Sequence, residues 1–271
     1  MKITYRISEL VPYINWVYYY FAWQVKEEAE KQRMHAEALA KLQELDAQYQ
    51  VHAVFELFDA RSQDDDIEIY RTQLCPDCGV KHPVRVATIP FLRQQQGNPP
   101  FMCLADFISP KASKLGLFAT TVDIGLETDF DGDVYQKMLT QLLADRLAEA
   151  AAERLHEQVR KEYWGYAKDE NLSIEDMLVE KFQGIRPAVG YPSLPDTSLN
   201  FLLDEILDMK QIGIRLTESG AMKPHASVSG MMISNPKARY FAIGKIGEDQ
   251  LQDYARRRAV PAEVLRKWLN L

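Results

Sequence analysis

RPAVGYP at residues 186–192, the apolar run from Leu199 to Ile212 and LTESGAMKPHASVSG at 216–230 form the stretch around which this chain is organised. Pro187 fixes φ, Gly190 permits a conformation or close approach denied to other residues, and Pro192 stops any regular element. The backbone around Arg186 is therefore pre-shaped. A guanidinium presents five donors in a rigid fork, and beside the ring of Tyr191 it suits a carboxylate-bearing ligand with a flat or cationic part. Arg-Pro and Gly-Tyr-Pro also occur in ordinary loops, where the arginine only pins a surface turn. Chemistry alone leaves both readings open.

On the C-terminal side, Ser198 is placed to cap a helix over Leu199–Ile212 and Gly213 to stop it. IRLT at 214–217, VSGMMI at 228–233 and RYFAIGKI at 239–246 read as strands, DQLQDYARRR at 249–258 as a helix, and Pro261 opens a last helix. On the N-terminal side, Asp133–Trp164 contains neither Gly nor Pro, and Leu143, Leu147, Ala151, Leu155 and Val159 recur every four residues. That spacing predicts a helix of ~48 Å, with Glu149 off the centre of its apolar stripe.

LGLFATTVDIG at 115–125 carries no charge until Asp123, as a buried central strand would. VHAVFELF at 51–58, DDDIEIYR at 64–71 and VRVATI at 84–89 read as a hairpin or meander, and residues 26–49 as an amphipathic helix. DFDGD at 129–133 lacks the spacing and closing Glu of a calcium loop, so it reads as the turn that starts the long helix. CPDCGVKH at 75–82 fits either half a zinc knuckle, with Cys103 further on, or a tight hairpin tip.

The composition, 271 residues of which 46% are hydrophobic, fits a globular fold with a substantial core. A net charge of −7 argues against sequence-blind binding to nucleic acid or anionic lipid. LVPYINWVYYYFAWQV at 10–25 is interrupted by Pro12, Asn15 and Gln24 and falls short of the ~20 residues of a spanning helix, so it reads as a buried, ring-rich segment. Three cysteines and no secretory segment predict reduced thiols in a cytoplasmic protein without a membrane or nucleic-acid partner. No Gly-x-Gly or Walker loop occurs, and the five histidines are scattered, which removes dinucleotide, nucleotide and triad chemistry. What remains is a binding constellation: Arg186 for a carboxylate, Tyr191 and Tyr240 as flat partners, Glu149 and Glu180 for positive groups. S-adenosylmethionine has matching needs.

YINW at 13–16, LRQQ at 92–95, CLADFISPK at 103–111, ADRLAEA at 144–150, YWGYA at 163–167, NLSIEDML at 171–178, GIRPAVGYP at 184–192 and ASVSG at 226–230 follow one another along the chain. Together they resemble the activation domain of cobalamin-dependent methionine synthase. The resemblance implies one α+β domain over 1–271, C-shaped, with a bent antiparallel sheet and long helices. It implies that the chain binds S-adenosylmethionine and presents its methyl group for reductive methylation of cob(II)alamin. The cobalamin would be carried by a partner methionine synthase module and the electron supplied by a flavodoxin-type donor.

Carried over by motif, Arg186 would hold the ligand carboxylate, Ala188 and the Tyr240–Phe241 backbone would contact the nucleoside, and Tyr191 would sit near the methyl group. Glu149 and Glu180 match acidic positions of that site, whereas Asn15 replaces an aspartate. The loop after GYP also departs from the family, with PDTSLN at 195–200, and CPDCG looks inserted. No DxHxxG lower-ligand motif is present, so the chain is expected not to make methionine alone but to act in trans on a separate synthase. Arg256–Arg258 and Lys161 are candidate contacts for an acidic donor. The competing reading is a non-catalytic sensor or chaperone module that binds S-adenosylmethionine or a corrinoid protein.

Overall fold

The computed structural model describes residues 1–75, 79–269 and 271. In chain order the elements are β1 (Lys2–Arg6), α1 (Ile7–Leu10), α2 (Trp16–Ala22), α3 (Glu28–Leu45), β2 (Gln50–Gln63), β3 (Asp66–Leu74), β4 (Lys81–Pro90), β5 (Ser113–Val122), α4 (Gly125–Thr128) and α5 (Val134–Gln158). There follow α6 (Ile174–Leu178), α7 (Leu199–Leu207), β6 (Arg215–Leu216), β7 (Met222–Lys223), β8 (Ser227–Met232), α8 (Glu248–Arg258) and α9 (Ala262–Trp268). The strands of the larger sheet are ordered β4-β3-β2-β5-β8, with β1 also on β2. The chain divides into two compact units. One holds Met1–Phe55, Phe118–Phe182 and Leu207–Ser229; the other holds Glu56–Leu117, Gln183–Ile206 and Gly230–Leu271.

In the first unit α5 is the central element. Asp133 caps it by accepting the N–H groups of Tyr135 and Gln136 at 2.9 and 3.1 Å. Leu143, Leu147, Ala151 and Leu155 are all buried, as their spacing requires. Thr120 on β5 donates its hydroxyl to the Ala148 carbonyl at 3.0 Å. The regular helix is nevertheless shorter than the Gly- and Pro-free run predicts, because Val159–Tyr163 widens into a π turn. Trp164 and Gly165 both donate to the Val159 carbonyl, and Gly165 has φ +71. This turn sends the chain back on itself and brings Glu170 to the buried Arg160.

The N-terminal ring-rich segment is only partly buried. It forms α1, a 3-10 turn and α2, and the helical period turns Val17, Tyr18 and Phe21 outward at 70, 58 and 80% exposure while Tyr19 is buried. No helix among the described residues is long and apolar enough to cross a membrane.

In the second unit the end of β2 pairs antiparallel with β3, Asp59 opposite Tyr70 through Gln63 opposite Asp66. Strand β3 pairs in turn with β4, from Asp66 opposite Pro90 to Leu74 opposite Lys81. Ile67 and Ile69 are buried on one face, and Glu68 is held by Arg61, Tyr70 and Arg85. Cys75 donates to the Val80 carbonyl at 2.9 Å, joining the chain after β3 to the chain before β4. The CPDCG stretch, which fits either half a zinc knuckle or a hairpin tip, includes residues 76–78, outside the described residues. Cys78 lies outside the described residues. Among those described, no group of three or more His, Cys, Asp or Glu is placed to hold a metal ion. Helices α8 and α9 pack around Leu251, Tyr254, Leu265 and Leu269.

RYFAIGKI does not form the strand its composition predicts. Gly244 sits at φ +74, and the segment is fixed by single bonds to separate partners rather than by a ladder.

Candidate functional site

The second unit gathers Arg186, Ala188, Tyr191, Tyr240 and Phe241. Residues 185–188 run antiparallel to the end of β8: Ile185 and Ile233 exchange N–H···O bonds of 2.9 and 3.0 Å, and Met231 donates to the Pro187 carbonyl at 3.0 Å. Pro187, which has no N–H, enters this pairing through its carbonyl alone. Ile185 and Pro187 are buried, whereas Arg186, on the alternate face, is half-buried. Ala188 bridges Gly230.

The chain then turns sharply. Gly190 donates to the Leu194 carbonyl at 2.8 Å, Leu194 to the Tyr191 carbonyl at 2.8 Å, and Tyr191 to the Ala188 carbonyl at 3.2 Å. Gly190 has φ +89, and a Cβ there would meet only Thr197 Cγ2 at 3.7 Å, so the glycine is required by backbone conformation rather than by space. The turn carries Tyr191 outward at 50% exposure.

The 240–243 segment closes the other side. Tyr240 Oη accepts the Arg186 N–H at 2.8 Å, and Ile243 donates to the Pro192 carbonyl at 2.9 Å. Gln94 Nε2 donates to the Ala242 carbonyl at 2.8 Å, and the Phe241 ring lies edge-on to Phe107 with centroids 6.3 Å apart. Among the described residues the backbone N–H and C=O of Phe241 have no hydrogen-bond partner, so an edge of amide groups remains for a ligand. A guanidinium, two partly exposed phenol rings and free main-chain groups can together hold a carboxylate, an apolar cation and a flat heterocycle.

The remaining predicted residues belong to the first unit. Glu149 is half-buried on α5. Glu180 is exposed just past α6, in the left-handed region at φ +60. Asn15 caps α2, its Oδ1 accepting the Val17 N–H at 3.2 Å.

Sequence reasoning missed the support beneath the turn. Asp196 is 1% exposed and accepts the Tyr254 hydroxyl at 2.8 Å, the Ser198 N–H at 2.9 Å and the Ser198 hydroxyl at 2.6 Å. Arg258 Nη2 donates to Ser198 Oγ at 2.8 Å, and its Nε lies 3.3 Å from the Asp196 carboxylate. Burial, and then the Asp196 charge, push the Tyr254 hydroxyl well above its usual range. PDTSLN thus turns its aspartate inward as an anchor between the turn and α8; the Asp-x-Ser spacing of an Asx turn was the available signal.

The Arg256–Arg258 triplet is likewise not a uniform basic patch. Arg256 is exposed and pairs with Asp253, but Arg257 is bound to Asp66 and Asp253 and Arg258 is drawn into the Asp196 cluster. Lys161, in the first unit, lies 3.4 Å from Glu157.

The family described as the activation domain of vitamin B12 dependent methionine synthase matches residues 6–259. This chain belongs to that family. A crystal structure of the MetH reactivation domain bound to AdoHcy is 39% identical to it, with the match covering 100% of this chain and 89% of that one at a TM-score of 0.90. The activation-domain fold, mixed helices with an antiparallel sheet, is therefore the fold of this protein.

Proposed function

We propose that this activation domain binds S-adenosylmethionine and presents its methyl group for the reductive methylation of cob(II)alamin on a methionine synthase. The observation that carries the reading is the full-length likeness to a reactivation domain bound to AdoHcy, which is S-adenosylmethionine less the transferred methyl. The residues here fit that ligand. Arg186 offers a fork to the α-carboxylate, the unbonded Phe241 amide and carbonyl suit the adenine edge, and the Tyr191 and Tyr240 rings suit the sulfonium end.

The reaction balances with one electron: the S–CH₃ bond breaks with its pair left on sulfur, and a Co–CH₃ bond forms on cobalt that the electron has reduced. The sulfonium supplies the methyl group, and a cobalamin module of the synthase supplies the metal. The chain's own contribution is positioning. Gly190 and the Asp196 anchor fix where Tyr191 stands, and Tyr240 fixes the backbone at Arg186. An acidic flavodoxin-type donor in the cytoplasm is the electron source that fits this chemistry, with Arg256 its basic contact on α8. We read residues 1–271 as one activation module, with Glu149, Glu180 and Asn15 assigned to the ligand by motif.

The test is calorimetric titration of S-adenosylmethionine into the wild type and Arg186→Ala, followed by reactivation of oxidised synthase with a reduced donor. Micromolar binding, about −8 kcal/mol, should weaken by roughly 10- to 100-fold in the variant, the cost of a charge-assisted pair. Equal affinity in both proteins would remove Arg186 from the site. Wild-type binding without reactivation would favour a sensor module instead.

A further inference from the structure

The segment that carries Tyr240 and Phe241 rests on one half-buried side chain, that of Gln94. The residue before it is firmly placed. The Arg93 guanidinium donates to Asp65, Asp106 and the Phe101 carbonyl at 2.6 to 2.9 Å, and its N–H donates to Gln250 Oε1 at 2.6 Å. Main-chain pairing continues the hold: Gln94 donates to the Met102 carbonyl at 3.0 Å, and Arg93 bridges Cys103. The root of the Gln94 side chain is thus set by its own surroundings.

From that root the carboxamide divides its two ends between two segments. Nε2 donates to the Ala242 carbonyl at 2.8 Å, and Oε1 accepts the Met102 N–H at 3.0 Å. These partners settle which end is which, since a carbonyl can only accept and a main-chain N–H can only donate. They also settle the residue type: an ionised glutamate has no donor for Ala242, and a leucine has neither group. Met102 adds a second hold on the same segment, its Sδ accepting from Arg239 Nε at 3.2 Å. Residues 94 and 102 together therefore grip the chain at 239 and at 242. Between those points lie Tyr240, whose Oη accepts the Arg186 N–H at 2.8 Å, and Phe241, whose main-chain groups have no partner among the described residues. Neighbouring Gln95 holds a later point, its Oε1 accepting the Gly247 N–H at 2.7 Å.

We propose that Gln94 is a positioning residue for the nucleoside half of the ligand. Its carboxamide sets the Phe241 amide edge through Ala242, and so governs affinity for the adenosyl group without touching it. This rests on the S-adenosylmethionine reading above and deepens it. Main-chain groups read the edge of a base only within a distance window of about 0.5 Å, and 239–246 has no ladder to hold it there. The carboxylate end of the ligand depends on Arg186, which is held separately by the pairing of 185–188 with β8. Loss of Gln94 should therefore act on one half of the ligand.

The test titrates the full chain, followed by NMR, with S-adenosylmethionine, with methylthioadenosine as its nucleoside half and with methionine as its amino-acid half. Gln94→Leu should weaken S-adenosylmethionine and methylthioadenosine by about 10-fold and leave methionine within about twofold. Gln94→Glu should do the same at about pH 8 and regain affinity as pH falls to about 5, where a carboxyl facing a carbonyl oxygen takes up a proton and again offers Ala242 a donor. The wild type and Gln94→Leu supply the baseline over that range, and melting curves show that each variant is folded. A glutamine that only stabilises the fold would weaken all three ligands together, with no recovery particular to the glutamate. That result, or unchanged methylthioadenosine affinity in both variants, would overturn the proposal. Failure of the wild type to bind S-adenosylmethionine would remove both this proposal and the function it rests on, whereas equal binding by wild type and variants removes this one alone.

Discussion

Removing the carboxylate that faces Arg160 should be among the most destabilising single changes in this chain. Arg160 is fully buried, and Glu170 meets it through three N···O contacts of 2.6 to 3.0 Å. Phe182 stacks on the guanidinium at 4.3 Å and Met177 Sδ lies 3.5 Å from Nη2, while Nη1 has no hydrogen-bond partner among the described residues. Everything beyond Glu170 is therefore weak or absent, and the carboxylate carries the compensation for a buried charge. Breaking such a pair from one side costs about 3 to 5 kcal/mol. Glu170→Gln, which keeps one acceptor, should fall near the lower end and Glu170→Ala near the upper. Replacing both partners by apolar residues, Arg160→Met with Glu170→Leu, should cost less than either single change, because no charge is left buried. Urea denaturation followed by circular dichroism measures all four proteins. A loss below ~1 kcal/mol in Glu170→Gln, or a double variant less stable than Glu170→Ala, would show that the pair is not what holds the 164–182 return against α5.

Gly190→Ala should destabilise the second unit by about 1 to 2 kcal/mol, the cost of an L side chain at φ +89 with room for its methyl, and should weaken S-adenosylmethionine binding; an unchanged melting curve would refute the strain. Hydrogen bonds from Tyr70 and Arg61, with Arg85, hold the Glu68 carboxyl at about 2 against an ordinary 4.5. Because the folded value is the lower one, this stabilisation is complete above pH 4.5 and is lost as pH falls toward 2. Glu68→Gln should flatten the acid limb of stability measured across that window, and an unaltered slope would count against the assignment. Burial pushes the Cys103 thiol up to about 12, so iodoacetamide at pH 8 should label it only after unfolding, as read by peptide mass mapping. Rapid labelling of the native protein would contradict its burial.

What the sequence revealed depended on whether neighbours in sequence are also neighbours in space. The long helix and β5 were legible because their burial follows from one repeating period, and the β3–β4 hairpin because its two halves adjoin. The irregular parts were not. Val159 continues the four-residue stripe faithfully, yet the helix widens there because Arg160 must reach Glu170, a contact that no local pattern encodes. The exposed rings of α2 show the converse error, in which aromatic content was taken for burial although the helical period distributes it around the axis.

The arginine triplet was partly legible. Leu251, Tyr254 and Ala255 are buried and Arg258 follows at helical spacing on the same face, so its inward course could be read, but its partner Asp196 lies far away in sequence. At the candidate site the Pro-x-x-Gly-x-Pro frame announced a fixed turn, and the structure supplies the bonds that fix it. Tyr240 could be placed beside Arg186 only through the family resemblance, since no residue pattern joins positions 54 apart in sequence.

The 239–246 segment bears on how such a site can be moved or copied. A strand in a ladder is held by a repeated bond that most side chains tolerate, so it can be transplanted with its neighbour. This segment hangs from Arg186, Pro192 and Gln94, each by a different kind of bond and each from a different part of the second unit. Copying residues 239–246 into another scaffold would carry the sequence without its shape. The portable unit is the segment together with anchors such as these, to which Arg239 adds a bond to Met102 Sδ, and a graft lacking them would deliver the tyrosine and the open amide to the wrong place.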